Sequence, residues 1–373
     1  MGVTTLMIAG GGTGGHIYPA IAIAREFLAR DASRRVVFVG TEYGLEKSIV
    51  PKAGFPLEFI SVGGLKGKGP LDLAKNLLRL PLGFLQASRV VGKHNPNAVL
   101  GVGGYASGPV LLAARMRGVP TMIHEQNAFP GLTNRLVAKF VKSVAVAFAD
   151  AAPRLKRSDA VVTGNPVRAE FFETQQPQRQ PRSAAATPQP FARRAAAWPP
   201  HSENPTTRLL VFGGSQGSKI LNDAVTKTLP LLPTTLPIVH QTGPKMLDDV
   251  QRAYGDRPNA RVVPYIDPMV DELANADVVI SRAGAMTIGE LAAVGRASIL
   301  VPFAAATNNH QELNARVMER AGAAIVITEK ELTPERLAAA IRDIDPQRMG
   351  AAAKALAQPE ATKKIVDTIE KII

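Results

Sequence analysis

The sequence has no cysteine, one tryptophan and only 5% aromatic residues, and it sets 31 acidic side chains against 44 basic ones. Without cysteine there is no disulfide and no thiolate metal site, and nothing is gained from an oxidising compartment. Scarce aromatics leave little surface for stacking bases, and no helix-turn-helix, zinc-ligand spacing or RNP-like run is present. Nucleic acid is therefore not the partner to which the net charge of +13 points, and anionic lipid is the better candidate. No run of about 18 apolar residues occurs, so no membrane-spanning helix is expected. Residues 3–9 are too short and lack the basic flank of a signal peptide, which makes a cytoplasmic location the simplest expectation. No paired acids in a D-x-D arrangement and no clustered histidines suggest a metal.

Two glycine-rich turns are present instead. Gly10-Gly11-Gly12-Thr13-Gly14-Gly15-His16 and Gly213-Gly214-Ser215-Gln216-Gly217-Ser218 each follow a short apolar run, at 6–9 and 209–212. Glycine admits positive φ and lets a ligand approach the backbone, while the helix that follows points free N–H groups at an anion. Two such turns in 373 residues predict two nucleotide-type halves facing one cleft, and an enzyme that handles a phosphorylated substrate between them. Apolar runs at 36–39, 98–102 and 121–124 add strands to the first half. Runs at 237–241, 261–263, 278–281 and 297–301 add them to the second, with helices over 220–229, 287–294 and 311–321. Pro19 suits a first helical turn, after which Ile21, Ala24, Phe27 and Leu28 fall on one face.

The fold class is thus α/β, with two Rossmann-like, doubly wound parallel-sheet domains around an inter-domain cleft. The expected divisions are a first domain over 1–163, a linker over 164–205, a second domain over 206–350, and a helical segment over 351–373 that packs back on the first. Within the linker, 176–205 holds seven prolines and seven alanines without periodicity and reads as a flexible insertion.

Gly10, Gly12 and Gly15 satisfy the dinucleotide spacing G-x-G-x-x-G, with Glu42 placed as a ribose-binding acid. Gly11, Gly14, His16 and the second glycine turn argue against a dehydrogenase. At a helix N-terminus the macrodipole disfavours a second positive charge, so His16 is expected as a neutral general base or as a sugar-orienting group. His124-Glu125-Gln126-Asn127 follows a buried strand at the edge where open α/β sheets bind ligands. There Asn127 suits a sugar hydroxyl, and Glu125 is either an alternative base or a brace for its loop. Tyr105 and Ser107, in the turn 103–109, would complete an acceptor pocket. In the second half Ser215 can offer its hydroxyl to a diphosphate, Arg168 a bidentate guanidinium and Glu290 a carboxylate to a ribose, while His310 and Gln311 can read sugar hydroxyls. Between 64 and 93, Lys66, Lys68, Lys75, Arg79, Arg89 and Lys93 interleave with Leu78, Phe84 and other apolar residues. That mixture suits a face resting on an anionic bilayer, with an ordinary amphipathic helix as the alternative.

Several runs in order along nearly the whole chain, namely 11–16, 103–109, 124–127, 132–134, 164–168, 213–217 and 282–285, closely resemble the MurG family of bacterial peptidoglycan glycosyltransferases. The resemblance implies a GT-B fold and inverting transfer of N-acetylglucosamine (GlcNAc) from UDP-GlcNAc to the 4-hydroxyl of the muramoyl sugar of lipid I, without a metal or other cofactor. It implies donor contacts from Thr13, Gly14, Gly15 and Asn127 in the first domain. From the second it implies contacts by Arg168, Ser215, Ile266, Ala285, Met286, Thr287, Ile288, Gly289, Glu290 and Gln311. His16 and Glu125 are the candidate catalytic groups, and Asn134 joins Tyr105 and Ser107 on the acceptor side. The implied place is the cytoplasmic face of the bacterial plasma membrane, beside the cell-wall and division machinery. The long 176–205 insertion and the absence of an acid in Asn308-Asn309-His310 depart from the family pattern. Another GT-B enzyme, such as a glycolipid synthase or a UDP-GlcNAc 2-epimerase, and a non-catalytic nucleotide-sugar sensor are the competing readings.

Overall fold

The computed structural model describes residues 3–62, 70–174 and 207–373, without the side chains of 70–80 and 307. The insertion 176–205, Lys66 and Lys68, and the side chains of Lys75, Leu78 and Arg79 lie outside the described residues. In the first domain the chain runs through β1 (Thr5–Ala9), α1 (Gly14–Ala29), β2 (Arg35–Gly40), α2 (Glu46–Lys52), β3 (Leu57–Phe59) and α3 (Pro70–His94). It continues through β4 (Ala98–Gly101), α4 (Ser107–Met116), β5 (Thr121–Glu125), α5 (Leu132–Val137), β6 (Ser143–Val146), α6 (Ala151–Leu155) and β7 (Val161–Val162). The second domain opens with β8 (Leu209–Phe212), α7 (Lys219–Thr228), β9 (Ile238–Gln241), α8 (Leu247–Tyr254), β10 (Ala260–Val263), α9 (Met269–Asn275) and β11 (Val278–Ser281). It closes with α10 (Ala285–Val294), β12 (Ala297–Leu300), α11 (His310–Arg320), β13 (Ala324–Val326), α12 (Pro334–Asp343) and α13 (Pro346–Ala355), and α14 (Ala361–Glu370) follows.

The first sheet has the strand order β3-β2-β1-β4-β5-β6-β7 and the second β10-β9-β8-β11-β12-β13, every pair parallel. Parallel strands covered on both faces need apolar residues on both, which is why the strands read as unbroken apolar runs rather than alternating ones. Apolar clusters accordingly fill both faces of each sheet. In both orders the sequence leaves the central strand, β1 or β8, in one direction and returns past it in the other, and the glycine turn lies at that reversal. Open α/β sheets bind ligands there, beyond the carboxyl ends of the strands.

Three sequence expectations shift. Pro19 falls in the second turn of α1, because the helix starts at Gly14. A proline there has no N–H to give to the carbonyl four residues back, that of Gly15. The boundary at 350 falls inside α13, which packs on α10 and β12, so the chain crosses back only after Ala355. Residues 164–174 are not a free linker, since Val167 and Phe171 sit in the apolar core of the second domain.

The last helix belongs to the first domain by packing. Ile365, Val366, Ile369 and Ile372 share a cluster with Leu6, Ile8, Ile23 and Phe27. At the far end of α1, Arg30 pairs with Asp367 and Glu370, and Arg34 with Glu370, each at 2.7 Å. Replacing wholly buried Ile369 by alanine should cost about 2–5 kcal/mol, the range for a large-to-small change in a packed core. Denaturant unfolding should show that loss in the amino-terminal domain, although the residue is far from it in sequence; a loss confined to the carboxyl-terminal domain would contradict this packing.

Candidate active site

The first glycine turn is held by backbone contact and by one buried acid. Gly11 and Gly12 have φ of +151° and +93°, and Gly103 and Gly104 of the facing turn have +95° and +83°. A Cβ on Gly104 would lie 2.5 Å from the Gly11 carbonyl oxygen, and one on Gly103 would lie 2.9 Å from Cε1 of His16. Glu46, at the start of α2, supports the turn from below: its Oε2 accepts the Gly12 N–H at 2.7 Å, and its Oε1 accepts both the N–H and the hydroxyl of Thr41 at 2.9 Å. Sequence reading missed Glu46. The available signal was an acid set among Gly40 and Gly44, both of which would clash with its carboxyl group if they bore a Cβ.

Above that support, α1 starts with Thr13 in extended conformation, no side-chain cap and no acid in its first turn. Thr13 and Gly15 are exposed and Gly14 and His16 half-buried, so these groups sit at an accessible, electropositive helix end.

The loop after β5 is internally braced. Glu125 is 1% exposed and accepts four N–H groups: Asn127 N (3.0 Å) and Nδ2 (3.2 Å) on Oε1, and Gly131 N (3.0 Å) and Asn134 Nδ2 (2.8 Å) on Oε2. With both oxygens engaged it has the geometry of the loop brace and not of the alternative base. The same bonds correct the placing of Asn134, which is buried beneath the loop. Ser107 is likewise wholly buried, because the first turn of α4 packs on β4 where Gly101 leaves room for its hydroxyl, whereas Tyr105 is half exposed. Gln126, also buried, lies between two imidazoles, with Oε1 3.1 Å from His16 Nδ1 and Nε2 3.2 Å from His124 Nδ1.

The second domain offers a matching edge. The turn 213–217 presses on the 242–243 backbone; a Cβ on Gly243 would stand 2.2 Å from the Gln216 carbonyl oxygen. Ser215 is exposed at its tip, while the cap of α7 is Ser218, whose Oγ accepts from Arg282 Nη2 at 2.7 Å. Gln241 ties this turn to Ile266, donating to the Gly214 carbonyl at 3.0 Å and accepting the Ile266 N–H at 2.8 Å. Helix α10 starts at Ala285 after extended Gly284, again with no side-chain cap and no acid in its first turn. Glu290, half-buried further along α10, has its carboxyl pushed up to about 7, chiefly by burial, with Arg168 pulling it down and Glu170 pushing it up. Arg168 is half exposed, paired with Glu170 at 3.0 Å and stacked on Phe171. Gln311 at the start of α11 accepts the Phe303 N–H.

Two amides join the halves. Asn165 Nδ2 donates to the carbonyls of Gln126 (3.0 Å) and Ala285 (3.2 Å). Asn314, on α11, accepts the Ala128 N–H (2.8 Å) and donates to Asn127 Oδ1 and the Ala283 carbonyl (3.1 Å each). Asn314 was invisible in the sequence because nothing local distinguishes a bridging amide from a surface one.

Residues 6–146 match the model of the glycosyltransferase family 28 N-terminal domain, and residues 208–372 match that of its C-terminal domain. The chain is 44% identical over 379 residues to the UDP-N-acetylglucosamine–N-acetylmuramyl-(pentapeptide) pyrophosphoryl-undecaprenol N-acetylglucosamine transferase of Anaeromyxobacter dehalogenans, covering 99% of this chain and 93% of that protein. The transferase of the same description from Myxococcus xanthus is 42% identical over 371 residues, covering 97% and 91%. Among solved structures, MurG of Acinetobacter baumannii superposes with a TM-score of 0.80 at 30% identity, covering 99% of both chains.

Proposed function

The chain belongs to glycosyltransferase family 28, and on that premise we propose that it transfers GlcNAc from UDP-GlcNAc to the muramoyl 4-hydroxyl of a pyrophosphoryl-undecaprenol-linked acceptor. The observation that carries this reading is the likeness over almost the full length to transferases described by that reaction. It is favoured over an epimerase or a lipid-glycosylating relative of the same fold.

The proposed step is a single displacement with inversion. The acceptor hydroxyl oxygen bonds to the anomeric carbon, its proton passes to His16, and the bond from that carbon to the diphosphate oxygen breaks with the electron pair leaving on UDP. The uncapped N-terminus of α10, the Ser215 hydroxyl and the Arg168 guanidinium receive the leaving charge. Glu290 accepts the ribose hydroxyls.

The test is transfer of labelled sugar to a water-tolerant lipid I analogue in the presence of EDTA. Product should depend on acceptor and resist EDTA, and His16→Ala should lower kcat by about 10²- to 10⁴-fold while UDP-GlcNAc still binds. Donor consumption without acceptor would point to an epimerase, and binding without turnover in the parent enzyme to a sensor.

A carboxylate that accepts ribose hydroxyls binds in its ionised form, so a carboxyl near 7 makes donor affinity fall with acidity. The Kd for UDP-GlcNAc should rise as pH drops below about 7, approaching tenfold per pH unit, and Glu290→Gln should bind more weakly with a flat profile. A flat profile in the parent enzyme between pH 5.5 and 8 would remove Glu290 from the donor site.

No helix among the described residues is long and apolar enough to cross a membrane. We assign membrane attachment to the basic, apolar segment 66–93, consistent with Leu82 and Leu85 standing exposed on α3 while Phe84 packs partly against the first domain's core. The double variant Lys66→Glu with Lys68→Glu should reduce co-sedimentation with phosphatidylglycerol vesicles; unchanged sedimentation would refute the assignment.

A further inference from the structure

The polar chain beneath His16 has one consistent arrangement of protons. His124, wholly buried on β5, places Nε2 3.1 Å from the Gly164 carbonyl oxygen, which can only accept, so Nε2 carries a hydrogen. Burial pushes the imidazolium of His124 down to about 4, outweighing the raising effect of that hydrogen bond, so at neutral pH the ring holds a single proton and Nδ1 is bare. Gln126 then sets its amide nitrogen 3.2 Å from that Nδ1 and 3.2 Å from the His124 carbonyl oxygen. Both are acceptors. A flipped amide would press oxygen against oxygen, so the network itself assigns the orientation. The Gln126 oxygen is left facing His16 Nδ1 at 3.1 Å, and it can only accept.

We propose that Gln126, anchored by His124, is a positioning residue that holds His16 as the Nδ1–H tautomer and leaves Nε2 as the atom that gains and loses the proton. This rests on the reading of His16 as the base. Gly103 leaves the room that the ring occupies, since any Cβ there would stand 2.9 Å from Cε1. Among the described residues His16 Nε2 has no hydrogen-bond partner. A neutral amide does here what a carboxylate does in a serine-protease triad, fixing ring orientation and tautomer, but it adds no charge to stabilise the imidazolium. A carboxylate at 126 would face the His124 carbonyl oxygen and bare Nδ1, and would have to take up a proton to fit.

The experiment is long-range ¹H–¹⁵N correlation of the histidine side chains in the full-length ¹⁵N-labelled enzyme at neutral pH, with the His16 signals identified by their loss in His16→Ala. Parent enzyme should show a protonated Nδ1 and a bare Nε2 on His16. Gln126→Met, which fills the space but cannot accept the N–H, should give a tautomer mixture, and kcat should fall about 10- to 100-fold with KM for UDP-GlcNAc within twofold. Should Gln126→Met not fold, the parent spectrum alone decides: an Nε2–H tautomer overturns the proposal. Unchanged kcat in a folded Gln126→Met also overturns it. Full turnover in His16→Ala would instead overturn the base reading, a different result from either.

Discussion

The architecture of the cleft depends on two backbone turns meeting without side chains between them. Gly10–Gly12 and Gly103–Gly104 approach so closely that a single methyl group at Gly104 would strike the opposite carbonyl. That contact fixes where α1 begins and hence where its N-terminus and His16 sit relative to the loop after β5. Bare backbone in contact has polar groups to satisfy, and the Glu46 carboxylate meets that need with three donors from two segments. Burying an acid is costly unless its oxygens are well bonded, so its placement makes the turn intolerant of alternative shapes.

The second domain repeats the solution with different chemistry. Its turn presses on the 242–243 backbone, and the polar support comes from neutral Gln241 and from Arg282, which also pairs with Glu329 at 2.6 Å. The two domains are then joined near the cleft by amide hydrogen bonds, and on the surface by an ion pair between Arg320 and Asp150 at 2.6 Å. Hydrogen bonds of this kind are each worth only about 1 kcal/mol net, which sets register across the cleft without welding it. Behind them, Phe148, Val167, Phe172 and Ile288 help line a cavity of about 200 Å³.

Much of this could be read from the sequence because parallel strands and glycine turns leave strong local marks. The strands at 6–9, 209–212 and 278–281 and the helix at 287–294 appear within two residues of their expected bounds. Strands β3, β7 and β13 were not read, being only two or three residues long and too short to carry a period, and four-residue β6 was missed as well. At the site, the glycine turns and the 124–127 run were legible because they are consecutive. The partners of those residues were not: Glu46 lies 34 positions from Gly12, and Asn314 lies 187 from Asn127. Ser107 and Asn134 show the converse, since motif membership marks a residue as necessary without saying whether it faces a ligand or holds the element that does.

Helix α14 puts the end of the chain into the core of its beginning, with Ile365, Val366 and Ile369 packed beside Leu6 and Phe27. A ribosome releases those residues only after the whole second sheet has been made. The amino-terminal sheet must therefore wait, one face incomplete, while the later domain already has all its strands, so completion of the fold runs opposite to the direction of synthesis.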